Sequence, residues 1–129
     1  MAIILITHDL GVVAELCNKV IVMYAGTVCE SGNVQDIFEN PSHEYTKALL
    51  RSMPSESDAG GRLRSISGSP VNLLHLPDGC PFSPRCEEAM KICLKENPPI
   101  TTISNGHYAR CWFNEKLKLC KAFGGGEVE

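Results

Sequence analysis

No stretch of this 129-residue chain is apolar for long enough to cross a membrane, so any membrane attachment is expected to run through a partner. The start does not read as a secretory leader either: the apolar run over 2–6 has no positive segment before it and breaks at His8 and Asp9, so none is expected. Nor is there a basic excess. The net charge is −3, with 3 Lys or Arg against 8 Asp or Glu over 1–60 and 9 against 7 over 61–129, too little positive charge in either part for a nucleic-acid surface. No G-x-x-x-x-G-K followed by Ser or Thr occurs, hence no backbone cradle for phosphates and no lysine to reach them. An apolar strand ending in Asp-Glu, the usual holder of magnesium and water, is also absent; the one acidic residue just after an early strand is Asp9. The chain by itself is therefore expected to be catalytically inactive.

What remains is 43% hydrophobic, enough for the core of one modest domain or one and a half small ones. Seven cysteines without a leader point to metal binding rather than a disulfide scaffold, and the odd count leaves at least one spare. Periodicity predicts a strand over 3–7, a helix over 9–17, strands over 19–24 and 27–31, and helices over 33–39 and 43–52. Ile3, Ile4, Leu5 and Ile6 do not alternate with polar residues, as in a strand covered on both faces. Leu10, Val13, Ala14 and Cys17 form one apolar stripe expected to pack the first helix on the sheet. Ala25-Gly26 should make a tight hairpin that leaves Cys29 a buried, inert strand residue. Asn33 and Ser42 are the expected caps of the next two helices, with Thr7 or Asp9 capping the first. Residues 55–68, rich in Ser, Asp and Gly, read as a linker.

The triplet Thr7-His8-Asp9, placed between an apolar strand and a helix, lies where open α/β sheets bind ligands. It resembles the switch-histidine turn of an ABC-transporter ATPase. The longer succession ILITHDLGVVAELCNKVIVMYAGTVCESG, a short helix and NPSHEYTKALLRSMP is similar to the end of the nucleotide-binding domain in the oligopeptide and dipeptide branch of ABC importers. SPVNLLHLPDGCPFSPRCEEAMKIC, with YARCW later, resembles the carboxy-terminal extension of that branch. Glu44 stands where the family often has proline, and either residue suits a helix start.

The resemblance implies an α/β fold: part of a P-loop ATPase-like sheet with helices over 1–54, the linker over 55–68, a small cysteine-rich, loop-rich extension over 69–121, and a loose tail over 122–129. It implies the carboxy-terminal portion of a longer ATPase that works with ATP and Mg. His8 would contact the terminal phosphate and help organise the attacking water. The implied partners are membrane permease subunits and a second ATP-binding subunit, at the cytoplasmic face of the membrane and without direct insertion. The competing reading, taken from the residues alone, is an autonomous iron–sulfur or zinc-binding interaction module.

Cys80, Cys86, Cys93 and Cys111 are spaced C-x5-C-x6-C-x17-C, which is no zinc-finger spacing. A helix over 87–92 would separate Cys86 from Cys93 by about 10.5 Å, beyond the roughly 7 Å between Cα atoms that a disulfide permits. A tetrahedral zinc, drawing sulfurs to roughly 4 Å, would fit poorly, and a larger iron–sulfur cluster is easier to span. Pro81 after Cys80 echoes the Cys-Pro pairing of bacterial cluster motifs, and Arg85 and Arg110 each precede a cysteine and would favour thiolate. The resemblance implies the same outcome, since the family's extension holds a 4Fe-4S cluster in some members. The alternatives are a plain packed core of thiols, Cys120 replacing one ligand, or a Cys3His zinc site using His107. Trp112 would shield the site or fill a core. His43 is expected at a helix start, His75 in an extended segment and His107 on a loop.

Overall fold

The computed structural model describes residues 1–54 and 65–114. Most of the expected linker, the tail and Cys120 lie outside the described residues. Four strands form one antiparallel sheet in the order β1-β2-β4-β3: β1 Lys19–Tyr24, β2 Thr27–Asn33, β3 Thr101–Ser104 and β4 His107–Ala109. Short helices accompany them, among them α1 Leu10–Leu16, α2 Val34–Glu39 and α3 Glu44–Arg51. No helix among the described residues is long and apolar enough to cross a membrane.

The hairpin β1–β2 forms where the alternation places it, with Val22 and Tyr24 of β1 facing inward. Ala25 and Gly26 both have positive φ, 51° and 76°, the signature of a type I′ turn that suits the right-handed strand twist. β2 runs two residues further than the sequence pattern indicates and delivers Glu30 to the interior. Its end leads directly into α2, which buries Ile37; Asn33 sits at the cap position without a side-chain hydrogen bond. At α3 the cap is His43 rather than Ser42: His43 Nδ1 accepts from the Tyr45 N–H at 3.0 Å.

Two expectations for the amino-terminal segment fail for one reason. Residues 3–6 form no strand, and Ile3, Ile4 and Ile6 are almost fully exposed, because no described strand lies beside them and an unpaired strand has no ladder to hold it. Without that strand α1 lacks the sheet it is expected to cover and lies against α2 instead. It buries no residue, Ala14 is exposed, and Cys17 is only half-buried. The sheet that does form is antiparallel throughout, so the doubly covered strand suggested by the apolar run is not among the described residues.

The second half of the chain completes the same sheet. β2 pairs with β4 through Glu30↔Ala109 and Ser31↔Tyr108, and β4 pairs with β3 around Asn105-Gly106, where Gly106 takes a φ of 79°. Tyr24, Cys29 and Phe82 form the core cluster, with Tyr45, Ile66 and Cys80 packed against it. Its rings interlock at centroid distances of 4.8 Å for Tyr24–Tyr45 and 5.3 Å for both Tyr24–Phe82 and Tyr45–Phe82. Residues on both sides of the 55–68 stretch thus share one sheet and one core.

Between Cys86 and Cys93 the chain does not form the expected helix. A turn closed by the Ala89 N–H on the Cys86 carbonyl is followed by an extended Met90 and a 3₁₀ turn over Lys91–Leu94; another 3₁₀ turn spans Ser83–Arg85. A six-residue helix has little stability of its own, so packing around the cysteines decides the path.

Candidate functional site

His8 occupies a bend directly ahead of α1. Thr7 Oγ1 accepts from the Asp9 N–H at 3.0 Å, and Asp9 Oδ1 accepts from the Val12 N–H at 3.2 Å, so the two flanking residues shape the turn and cap the helix. His8 itself is exposed. Its neighbours carry the structural duties, which leaves the imidazole available to an external group.

The four cysteines converge. Cys80, Cys86, Cys93 and Cys111 all line one narrow cavity, together with the carboxylates Glu44 and Glu88 and with His43, Ser83, Met90 and Trp112. The short path through Met90 brings this about, so the separation expected from a helix over 87–92 does not apply, and neither does the argument it carried against a disulfide or a zinc ion. All four are free thiols, and no group of three or more His, Cys, Asp or Glu side chains among the described residues is placed to hold a single metal ion. Burial, followed by the charge of neighbouring groups including one another, pushes the Cys86 thiol up to about 11; burial raises Cys80 and Cys111 as well. These thiols are therefore protonated at neutral pH unless a cation replaces their protons.

The expected role of the arginines is corrected here. Arg85 turns its guanidinium to the carbonyls of Ser67 and Ile66 and to Tyr24 Oη, not to Cys86. Arg110 lies beside Cys29, whose thiol burial drives up to about 12 in spite of that cation. Cys29 is thus the buried, unreactive strand residue the sequence indicates. Trp112 stands at the wall of the cavity, its Nε1 donating to the Glu96 carbonyl at 2.8 Å, in keeping with a shielding role.

Gly79 sets the approach of one cysteine. The Cys80 N–H donates to the Cys93 carbonyl at 2.8 Å, and a Cβ on Gly79 would lie 2.1 Å from that same carbonyl oxygen. The obstacle is backbone, which cannot swing aside as a side chain can. Gly79→Ala should cost roughly 1–3 kcal/mol through overpacking and should raise thiol labelling at Cys80 and Cys93. Unchanged denaturation midpoints and labelling rates would show that the backbone yields freely.

Sequence reading missed the pair Glu30 and His107. Both are buried, with His107 Nε2 and Glu30 Oε1 2.6 Å apart. The same carboxylate accepts from the Ser42 N–H at 2.7 Å and the His43 N–H at 3.0 Å, at the amino-terminal end of α3. One side chain on β2 thus ties β4 and α3 together, and the His43 that it fixes lines the cysteine cavity. His107 lies on β4, not on a loop, its Nε2 is engaged by Glu30, and it does not line the cysteine cavity. The overlooked signal is Asn105-Gly106, a strong hairpin dipeptide that places His107 on a strand.

The family described as the oligopeptide/dipeptide transporter, C-terminal region, matches residues 29–93, half of the chain and a span that includes Glu30, Gly79 and three of the four cavity cysteines. The chain belongs to that family. It is 50% identical over 111 residues to the oligopeptide transport ATP-binding protein OppD of Salmonella typhimurium, covering 86% of this chain and 33% of that protein. It is 48% identical over 119 residues to OppD of Haemophilus influenzae, covering 92% of this chain and 36% of the relative. The dipeptide transport ATP-binding protein DppD of Bacillus subtilis is 45% identical over 116 residues, covering 90% and 35%. The chain spans about a third of the length of the curated relatives it matches. Among the described residues, the glutamate-centred clasp and the four-cysteine cavity gather polar and sulfur chemistry, and nothing in the matches supports an autonomous interaction module.

Proposed function

We propose that this chain is the carboxy-terminal part of the ATP-binding subunit of a peptide importer. The observation that carries the reading is the exposed His8, on a turn braced by Thr7 and Asp9, in a chain about half identical to oligopeptide transport ATP-binding proteins. Residues 1–54 close a nucleotide-binding domain whose remaining parts supply the phosphate loop and the magnesium site. There, His8 contacts the terminal phosphate of ATP and helps to place the attacking water. Residues 69–121 form the extension that follows, joined through 55–68. The subunit works as one of a pair beneath membrane permease subunits, on the cytoplasmic face. Full-length protein reconstituted with its permease in vesicles should drive ATP-dependent uptake of short peptides. Uptake that proceeds equally without ATP, or ATP turnover that peptide never stimulates, would remove this reading.

The cavity formed by Cys80, Cys86, Cys93 and Cys111 suits an iron–sulfur cluster. Four soft sulfur donors line one cavity beside two carboxylates, Glu44 and Glu88, and soft sulfur is the donor type that iron–sulfur centres use. When bound, such a cluster supplies a cross-link between separated chain positions and a one-electron couple. The protein's own part is to surrender the protons of Cys80, Cys86 and Cys111, which burial otherwise retains, and to keep solvent out with Trp112 and Phe113. Full-length protein purified without oxygen should carry iron and inorganic sulfide, and Cys93→Ser should abolish both while Cys17→Ser leaves them intact. Stoichiometric zinc without sulfide, or full sulfide content in Cys93→Ser, would replace the cluster by a zinc site or a packed core.

A further inference from the structure

A second cavity, of about 290 Å³, lies between α3, the segment 65–67 and the chain around Arg85. Ligand sites occupy roughly 300–1,000 Å³, so an occupant here is small. One wall is a face of α3. Glu44, Ala48 and Arg51 stand at i, i+4 and i+7, which stacks them along the helix with the carboxylate and the guanidinium at opposite ends, separated by a rise of about 10.5 Å. Ala48 between them keeps the middle of that wall open.

Arg85 builds another wall. Its Nε donates to the Ser67 carbonyl at 3.1 Å and its Nη2 to the Ile66 carbonyl at 3.2 Å, and Gly68, with a φ of 83°, runs so close to its stem that a Cβ there would lie 3.2 Å from Arg85 Cγ. These contacts hold the segment in place. Phe82, 2% exposed and packed edge-on to Tyr24, adds a rigid apolar surface.

The charges of the lining balance: Arg51 and Arg85 stand with Glu44 and Glu87. A polyanion such as a nucleotide phosphate would meet both carboxylates and a plain cation both guanidinium groups, so each is repelled by half of the charged lining. A zwitterion is not. The carboxylates share one end, because Glu44 also lines the sulfur cavity with Cys86, the residue before Glu87. Lys47 already pairs with Glu44 at 3.0 Å, and Arg85 is committed to carbonyls. Arg51 and Glu87, both exposed, form no ion pair among the described residues. They are the charges left to a ligand.

We infer that this cavity binds a short peptide with both ends free, its ammonium group at Glu87 and Glu44 and its carboxylate at Arg51. Extended chain covers roughly 3.3 Å per residue, so about two or three residues match the reach between the two ends of the α3 wall. Ala48, Ile66 and Phe82 offer the side chains of such a peptide apolar contact without a polar group to choose among them. An internal stretch of protein chain lacks the two terminal charges. The binding stands on this cavity alone and does not require the transport reading above.

Isothermal titration of the full-length protein with trialanine, N-acetyl-trialanine and trialanine amide tests it. Trialanine should bind, and each blocked form should bind about tenfold more weakly or worse, the scale of losing one charge-assisted contact. Arg51→Gln should weaken trialanine by a similar factor and no longer distinguish it from the amide. Glu87→Gln should do the same toward the N-acetyl form, because each substitution removes the partner of one terminus. Ala48→Phe should fill the cavity and abolish binding; if its denaturation midpoint falls, the two variants at exposed positions decide. No heat from trialanine at millimolar concentration, equal binding of the blocked forms, or undiminished binding in both Arg51→Gln and Glu87→Gln would overturn the inference, and ATP-dependent peptide uptake by the same protein would then leave the transport reading standing.

Discussion

Replacing Glu30 with alanine should destabilise the chain by roughly 3–5 kcal/mol, the scale seen when one partner is removed from a buried, hydrogen-bonded pair. The carboxylate meets three donors at once: His107 Nε2 at 2.6 Å and the N–H groups of Ser42 and His43 at 2.7 and 3.0 Å. Alanine would leave a buried imidazole and two backbone N–H groups at the start of α3 without partners. Chemical denaturation of the wild-type and Glu30→Ala proteins measures the loss directly. Pairing Glu30→Leu with His107→Leu should recover part of it, because apolar groups of similar volume remove the unmet imidazole. A loss under about 1 kcal/mol, the range of an ordinary exposed pair, would show that water reaches the site and shares its hydrogen bonds. The effect should extend beyond stability: freeing the His43 backbone should speed thiol labelling of the cavity cysteines.

In the complete ATP-binding subunit, His8→Ala should leave nucleotide binding within a fewfold of the wild type and lower hydrolysis by about a hundredfold or more, the usual consequence of losing one transition-state contact. The expectation follows from how the turn is built. Thr7 and Asp9 make the hydrogen bonds that shape it, and His8 makes none of them. Removing the imidazole should therefore alter chemistry without altering the fold. Single-turnover hydrolysis beside a nucleotide-binding titration separates the two effects. An unchanged hydrolysis rate would assign His8 to the surface, and a loss of binding equal to the loss of rate would make it a ground-state contact rather than a catalytic one.

The elements that were legible in the sequence are those whose signal is local. The hairpin around Ala25-Gly26 and the helices α2 and α3 lie within a few residues of where alternation, caps and proline put them, since each depends on neighbours in the chain. The cavity cysteines were legible as a set, through spacing and chemical type. Their geometry was not. It depends on the turn at Cys86, the extended Met90 and the close pass of Gly79 over the Cys93 carbonyl, none of which has a periodic signature. The reading of Arg85 and Arg110 as thiolate-promoting neighbours failed because adjacency in sequence does not direct a long side chain; Arg85 reaches carbonyls at Ser67 and Ile66 instead.

Residues 3–6 teach the opposite lesson. Their apolar run is a sound strand signal, yet a strand exists only with a partner to complete its hydrogen bonds, and among the described residues none lies beside it.

The sequence by itself determined the family resemblance, the turn carrying His8 and the hairpin of β1 and β2. Tertiary structure alone decided that β2 pairs with β4, that Glu30 and His107 meet across 77 positions of chain, and that His43 and Ser83 border the sulfurs. Local patterns report how each segment satisfies its own backbone and presents an apolar face. Which buried polar groups find partners is settled only when distant segments exclude water together, because it is there that an unmet donor or acceptor carries its full desolvation cost.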